Sequence, residues 1–387
     1  MRVAIESAIK EEIVNVFGRR IVSSRDCIQL SDEIYHKTKL QLNPNTLRRF
    51  FGLVKAAYPP SHSTLTILSK YCGFQSVDEV AIKRNDNYTE EDAIVDGTLQ
   101  FLVSLFRDVP VKDSNDRTFL SVVINTVNFL NRHPQLADKF QSQVAKTKNG
   151  QEFYFEKFVN IDKLNSYYGN GLRYYYAEKR IIDSQLFAHS LLVFRYWLTG
   201  ENESLSHHFK LLEHPKLSNS VTPFIYGRYW AAQLYHAHAF SLPTDKIIQS
   251  AYNYYSSVSK EYAAASFPRY ELYLAEALTL TGYPEEALYY IQQAKKDYTE
   301  KDDYAYWKFF QNFILLETIA HVKLQTDKVG ELFDQINSTE FYFLRKLYSS
   351  ILYLLLVTQL KKQNPRHDEQ LNALISETGF TRLCTLF

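Results

Sequence analysis

From residue 183 to residue 378 the sequence runs as five pairs of helix-length segments joined by short turns. The pairs are 183–198 with 202–213, 221–240 with 243–258, 268–281 with 284–298, 304–325 with 328–337, and 341–362 with 366–378. No segment alternates apolar and polar residues over a convincing strand length. The pairs can therefore bury their apolar stripes in only one way, helix against neighbouring helix. Further helix-length segments precede them at 93–108, 117–131, 134–146 and 152–168. Residues 93–387 read as an α-solenoid of stacked helical hairpins, and the fold class as all-α. The chain has only 12 Gly and 11 Pro in 387 residues, which agrees with long uninterrupted helices. Its 29 Tyr and 26 Phe supply large side chains for helix-on-helix packing.

Residues 1–84 have a different rhythm, with shorter helices and sharper turns. Ile9, Ile13, Val16 and Phe17 share one helical face, and Gly18 ends that helix. A second helix is expected over Asp26–Thr38, with Leu30 and Ile34 inward and Lys37 and Lys39 near its cation-favouring end. After the turn Leu40–Pro44, Asn45 can cap a third helix. Leu47, Phe50, Phe51 and Val54 form its buried stripe, leaving Thr46, Arg48 and Arg49 outward. Pro59 and Pro60 interrupt the chain. A fourth helix, Ser63–Cys72, buries Leu65, Leu68 and Cys72 and stops at Gly73. A fifth starts at Ser76, where Ser-x-x-Glu with Glu79 makes a capping box, and runs to about Lys83. The polar run 85–92 reads as a linker.

Charge separates the two parts. Residues 1–84 carry 13 Lys and Arg against 8 Asp and Glu, whereas the remainder carries 31 against 35. A basic head on a mildly acidic body implies a polyanionic partner for the head alone.

Five short helices with this turn pattern resemble the lambda-repressor-like (Cro-type, XRE) helix-turn-helix domain, over about 80 residues. The likeness is carried by Pro60-Ser61 followed by Leu65, Leu68-Ser69-Lys70, Gly73-Phe74, Ser76 and Asp78-Glu79. It implies double-stranded DNA as partner, with Asn45, Thr46, Arg48 and Arg49 on the DNA-reading helix and Lys55 in the basic loop after it. The sequence departs from the family at Gln29-Leu30-Ser31-Asp32-Glu33 and at Phe51-Gly52. In the body, Leu274-Ala275, Leu278, Gly282, Ala287, Ile291 and Ala294 match the spacing of a tetratricopeptide (TPR) repeat, and the other pairs are TPR-like and degenerate. A helix-turn-helix head with such a body resembles regulators of the Rgg/PlcR type. That resemblance implies a homodimeric transcriptional regulator with a peptide or protein effector on the repeat groove. The alternative is a non-enzymatic TPR-like scaffold whose head does not bind DNA.

Tyr167–Tyr176 is the oddest stretch of the body. Gly169-Asn170-Gly171 reads as a turn or helix break. Tyr168, Arg173 and Tyr175 are candidates for a partner-binding surface, although tyrosines in such a body more often pack helices. His207-His208 with His214, and His236-x-His238, lack metal-ligand spacing, so no metal is expected. No nucleophile motif or phosphate loop occurs, and neither catalysis nor a cofactor is expected. Cys27, Cys72 and Cys384 form no paired motif and suit reduced thiols. The most apolar run, Ile351–Val357, is too short to cross a bilayer, and the N-terminus lacks a signal-peptide core. These features lead to the expectation of a cytoplasmic location.

Overall fold

The computed structural model describes residues 2–55, 59–77, 79–80, 90–112, 116–212, 222–257, 269–298, 304–362 and 365–386. All regular structure among the described residues is helical, so the chain is all-α. It divides into two compact units, Met1–Thr98 and Leu99–Phe387. The divide falls inside helix Glu90–Asp108, which takes in the last residues of the expected linker; residues 85–89 lie outside the described residues. Among the described residues no helix is long and apolar enough to cross a membrane.

The first unit opens with α1 (Arg2–Phe17), α2 (Ser24–Thr38), α3 (Pro44–Phe50) and α4 (His62–Tyr71). Its core is Ile9 and Ile13 of α1, Cys27, Leu30 and Ile34 of α2, Leu47 of α3 and Leu68 of α4, all fully buried. Val16, expected on the same stripe as Ile9, is exposed instead. Each helix end has a local cause. Gly18 takes φ +76° after α1. Ser23 and Asp26 form a reciprocal capping box at the start of α2. Bonds from the Ser23 hydroxyl and the Val22 N–H hold the Asp26 carboxyl below its ordinary range. Gly73, at φ +94°, closes α4 in a Schellman turn, its N–H on the Lys70 carbonyl and that of Phe74 on Ser69, both at 3.0 Å. Of the expected fifth helix, residues 78 and 81–83 lie outside the described residues. At its start the Ser76 hydroxyl accepts the Glu79 N–H at 3.1 Å, while the Glu79 carboxylate accepts that of Gln75.

In the second unit, α5 (Glu90–Asp108), shared with the first, is followed by α6 (Arg117–Arg132), α7 (Ala137–Val144), a π-helical segment Gly150–Lys157 and α8 (Tyr167–Glu178). The five hairpins are α9 (Ile182–Thr199) with α10 (Asn202–Lys210), α11 (Pro223–Ala239) with α12 (Asp245–Ser257), and α13 (Arg269–Thr281) with α14 (Pro284–Tyr298), then α15 (Tyr304–Lys323) with α16 (Val329–Asp334), and α17 (Lys346–Gln359) with α18 (Pro365–Thr378). Partners within each pair touch, and α9, α11, α13, α15 and α17 pack one on the next. Small side chains let them approach: Ala275, Ala287 and Ala294 are buried, and Gly282, at φ +95°, turns the chain from α13 to α14.

Two features of this unit differ from expectation. The single helix anticipated over 152–168 is instead the π-helical segment, a 3-10 turn at Ile161–Lys163 and the start of α8. Gly169 and Gly171 do not break a helix but lie inside α8. A Cβ on Gly169 would sit 1.9 Å from the Leu164 carbonyl oxygen, and one on Gly171 2.3 Å from the Gln141 side chain. These glycines serve close approach rather than a turn.

The hairpin series also returns to its beginning. Asp162 accepts the backbone N–H groups of Leu347 and Tyr348, each at 3.0 Å, in the first turn of α17. Those donors have no partner within the helix, so the carboxylate satisfies them. Near the C-terminus, the Thr381 hydroxyl donates to the Thr199 carbonyl at 3.2 Å, and Arg382 to Asn202 at 2.6 Å. The inner faces of α11, α13 and α17 meet around a buried ion pair, Arg345 with Glu276, flanked by Tyr235 and Tyr348.

Candidate nucleic-acid interface

The α3 helix begins because Asn43, not Asn45, caps it: the Asn43 side chain accepts the Asn45 N–H at 2.8 Å, and Pro44 takes the first helical position. It ends after seven residues in a second Schellman turn. Gly52, at φ +76°, bonds the Arg49 carbonyl, and the Leu53 N–H reaches that of Arg48 at 2.8 Å. The expected stripe is therefore cut short. Leu47 and Phe50 are buried, and Phe51 packs edge-on to Phe50 at 5.2 Å. Val54, beyond the turn, is half exposed (50%).

This geometry separates the two arginines. Successive residues on a helix point about 100° apart. Arg49 is exposed and lines an open concavity of about 880 Å³, shared with Thr46, Lys55, Ser61 and Thr64. Lys10 and Glu6 of α1 form another part of its wall. Arg48 instead leans back on its own helix, donating to the Asn45 side chain at 2.8 Å, with its Nε buried and unpartnered. Asn45 and Arg48 are not among the residues that line the concavity. Of the five residues expected on a DNA-reading face, the structure thus brings together Thr46, Arg49 and Lys55.

Lys10 was invisible to the sequence pattern, because nothing in α1 says which outward residue will border α3. Its ammonium lies 5.1 Å from the Phe50 ring centroid, which fixes α1 against α3 at this edge. Three cations, Lys10, Arg49 and Lys55, face one carboxylate, Glu6. The first turn of α4 adds its positive dipole end: the Ser61 hydroxyl accepts the Thr64 N–H at 3.2 Å, while other N–H groups of that turn lack helical partners. Two other basic side chains of the head are engaged elsewhere: Arg19 pairs with Asp26 at 3.0 Å, and Lys37 lies over the Tyr71 ring.

No protein-family model, curated protein or solved structure matches this chain.

The candidate partner surface on α8 needs correction. Tyr168 and Tyr175 are fully buried, and their hydroxyls donate inward to the Phe155 carbonyl at 2.7 Å and to Glu156 at 2.6 Å. Burial pushes both phenols far above their ordinary range. They belong to a ring cluster that includes Phe155 and Phe187, and they present no face to a ligand. The physical reason is helical period: α8 runs on through the glycines, so positions 168 and 175 fall on its core side. Only Arg173 reaches the surface, and Asp138 holds it at 2.7 Å.

The histidines are packed among rings. His189 and His208 share a hydrogen bond between their Nδ1 atoms at 3.1 Å, His236 stacks on Phe209, and Trp197 donates to His238 at 3.3 Å. His214 lies outside the described residues. Among the described residues no three His, Cys, Asp or Glu side chains converge as a metal site.

Proposed function

We propose that the head binds double-stranded DNA through the concave face lined by Lys10, Thr46, Arg49 and Lys55, and that the chain is a sequence-specific transcriptional regulator. One observation carries this reading: three cations from two helices and a loop converge with a helix N-terminus on one open concavity. Phosphates are recognised by such a combination of basic side chains and helix-terminal N–H groups. In this reading α2, the turn 39–43 and α3 are the helix-turn-helix, with Thr46 and Arg49 directed to base edges and Lys10 and Lys55 to phosphates. Asn45 and Arg48 act by bracing α3. One head offers a small interface, so two copies are needed for tight binding.

The body, read as a TPR-like array, carries dimerisation and effector binding. The burial of Ala275, Leu278, Ala287, Ile291 and Ala294 at repeat spacing supports that reading. The two cavities that α11 and α13 both line, about 30 and 10 Å³, have room for one to a few water-sized groups and are too small for a peptide. A peptide effector therefore docks elsewhere on the body, not between these helices.

The test is binding of the full chain to a randomised duplex pool at several salt concentrations, beside Arg49→Ala/Lys55→Ala and Arg48→Ala. Two phosphate contacts per head, from Lys10 and Lys55, give a log–log salt slope of about −2 per head, and the double variant lowers its magnitude by about 1 while also removing the base contact of Arg49. Arg48→Ala leaves the slope unchanged. Binding that is equal in wild type and double variant refutes the reading and favours the scaffold.

A further inference from the structure

Arg228 of α11 is buried, with 8% of its surface exposed, and has no carboxylate partner among the described residues. Its Nε–H finds no hydrogen-bond acceptor. The guanidinium lies 3.9 Å from the Tyr273 ring centroid and 5.6 Å from that of Phe187. Arg345 makes the contrast. It is equally buried and also lies near a ring, Tyr348, yet it has Glu276 as counter-ion. Ring faces attract a cation but supply no net charge, and guanidinium does not shed its proton. A buried guanidinium without an anion is strongly unfavourable.

The missing charge has a place to sit. A cavity of about 30 Å³ adjoins Arg228 and is lined also by Arg345, Lys157, Tyr273, Phe309 and Tyr342, with aliphatic side chains completing the wall. Among the described residues that line it, none is a carboxylate. Glu276 lies on a separate small cavity on the other side of Arg228 and Tyr273. Lys157 is paired with Glu152 at 2.9 Å and Arg345 with Glu276, so Arg228 is the one cation on the wall without an ion pair among the described residues. The volume exceeds that of one water and accommodates an oxyanion, whose oxygens occupy a few water-sized positions. Lys157 and Phe309 are only partly buried, which gives the cavity a solvent-facing rim.

We propose that this cavity is a binding site for a small oxyanion, with Arg228 as its principal ligand and Arg345 and Lys157 as flanking cations. The class is a phosphate or a carboxylate, charged groups that a guanidinium pairs with bidentately. Binding ties π-helical Gly150–Lys157, α11 and the segment before α17 through one ligand, so occupancy stabilises the second unit. The site is independent of DNA binding by the head.

The test is urea unfolding of the full chain, with calorimetric titration, in inorganic phosphate, in acetate and in chloride at matched ionic strength. Which of the two oxyanions stabilises more identifies the source. At one hundred times Kd, the preferred oxyanion shifts the unfolding equilibrium of the wild type about 100-fold beyond chloride. Arg228→Met keeps the packing volume, removes the charge and abolishes that shift, and in chloride it is at least as stable as wild type. Lys157→Met weakens binding about tenfold while keeping Arg228, and serves if Arg228→Met does not fold. Equal shifts in phosphate, acetate and chloride, or an oxyanion response retained by Arg228→Met, overturn the proposal.

Discussion

Replacing Gly169 by Ala tests the packing account of α8 with a sign that propensity alone gets wrong. In an unobstructed helix this substitution is favourable by about 1 kcal/mol, because alanine loses less backbone entropy. At position 169 the new Cβ would lie 1.9 Å from the carbonyl oxygen of Leu164. The obstruction is backbone, so no side-chain rotation relieves it. Either α8 or the turn before it must move by more than 1 Å to reach van der Waals distance (roughly 3.2 Å or more). That turn carries Asp162, whose carboxylate grips the start of α17, so the displacement is resisted from a second direction. Overpacking of this kind costs about 1–3 kcal/mol and more where backbone must shift. The net expectation for Gly169→Ala is a loss of about 2 kcal/mol. Gly330, in α16 of the same unit, is the control: a Cβ added there would meet nothing within 4 Å, and its φ is ordinary. Gly330→Ala is expected to gain about 0.5–1 kcal/mol. Urea unfolding of the full chain by circular dichroism measures both. A Gly169→Ala protein as stable as wild type would refute the close approach of α8 to residue 164.

Two further predictions concern buried charge. Burial, with a neighbouring imidazole second, pushes His189 and His208 down to about 4 from an ordinary 6.5. A lowered histidine pKa means the fold prefers neutral rings, so this stability is intact above pH 6.5 and is lost as pH falls towards 4. The loss is about 2 kcal/mol per ring once solvent screening of the half-buried His208 is allowed for. Asp162 acts in the opposite sense: burial raises it to about 6, so its contribution is full below about pH 4 and lost as pH rises through 6. The contrast of wild type with His189→Phe at pH 7.5 and 4.5 isolates the histidines, and a gap that does not narrow in acid would contradict the assignment. For the Arg345–Glu276 pair, Glu276→Gln alone is expected to cost about 3–5 kcal/mol by stranding the guanidinium. The double variant Glu276→Leu/Arg345→Met should recover most of that loss, and additive single effects in a double-mutant cycle would show that the two groups do not interact.

Local chemistry explains what was legible in the sequence. The Schellman turn at Gly73, the end of α1 at Gly18 and the turn at Gly282 each depend on a few adjacent residues, and each stands where the pattern put it. The hairpin bounds from α9 to α18 were readable because Gly and Pro are scarce and most of them fall at or between helix ends. What escaped depends on distant partners. Gly169 and Gly171 look like a turn until Leu164 and Gln141 are known to press on them. Asn43 rather than Asn45 caps α3, and the Asn45 side chain instead holds Arg48 back from the face of Arg49, an arrangement that no count of basic residues reveals. Lys10 joins the candidate interface only because α1 crosses beside α3. The bond from Asp162 to α17 has no sequence signature at all.

That last bond has a consequence for how the protein is made. Asp162 leaves the ribosome about 185 residues before the N–H groups of Leu347 and Tyr348 that it accepts. At roughly 5–20 residues per second, synthesis leaves it waiting for about 10–40 s. During that interval α9 is exposed along the surface that Tyr348 later covers at Phe194. The hairpins between can zip up in order as they emerge, because each touches the next. The final closure is a long-range event that must wait until α17 has emerged, and the nascent chain spends that time with an apolar seam open to chaperones.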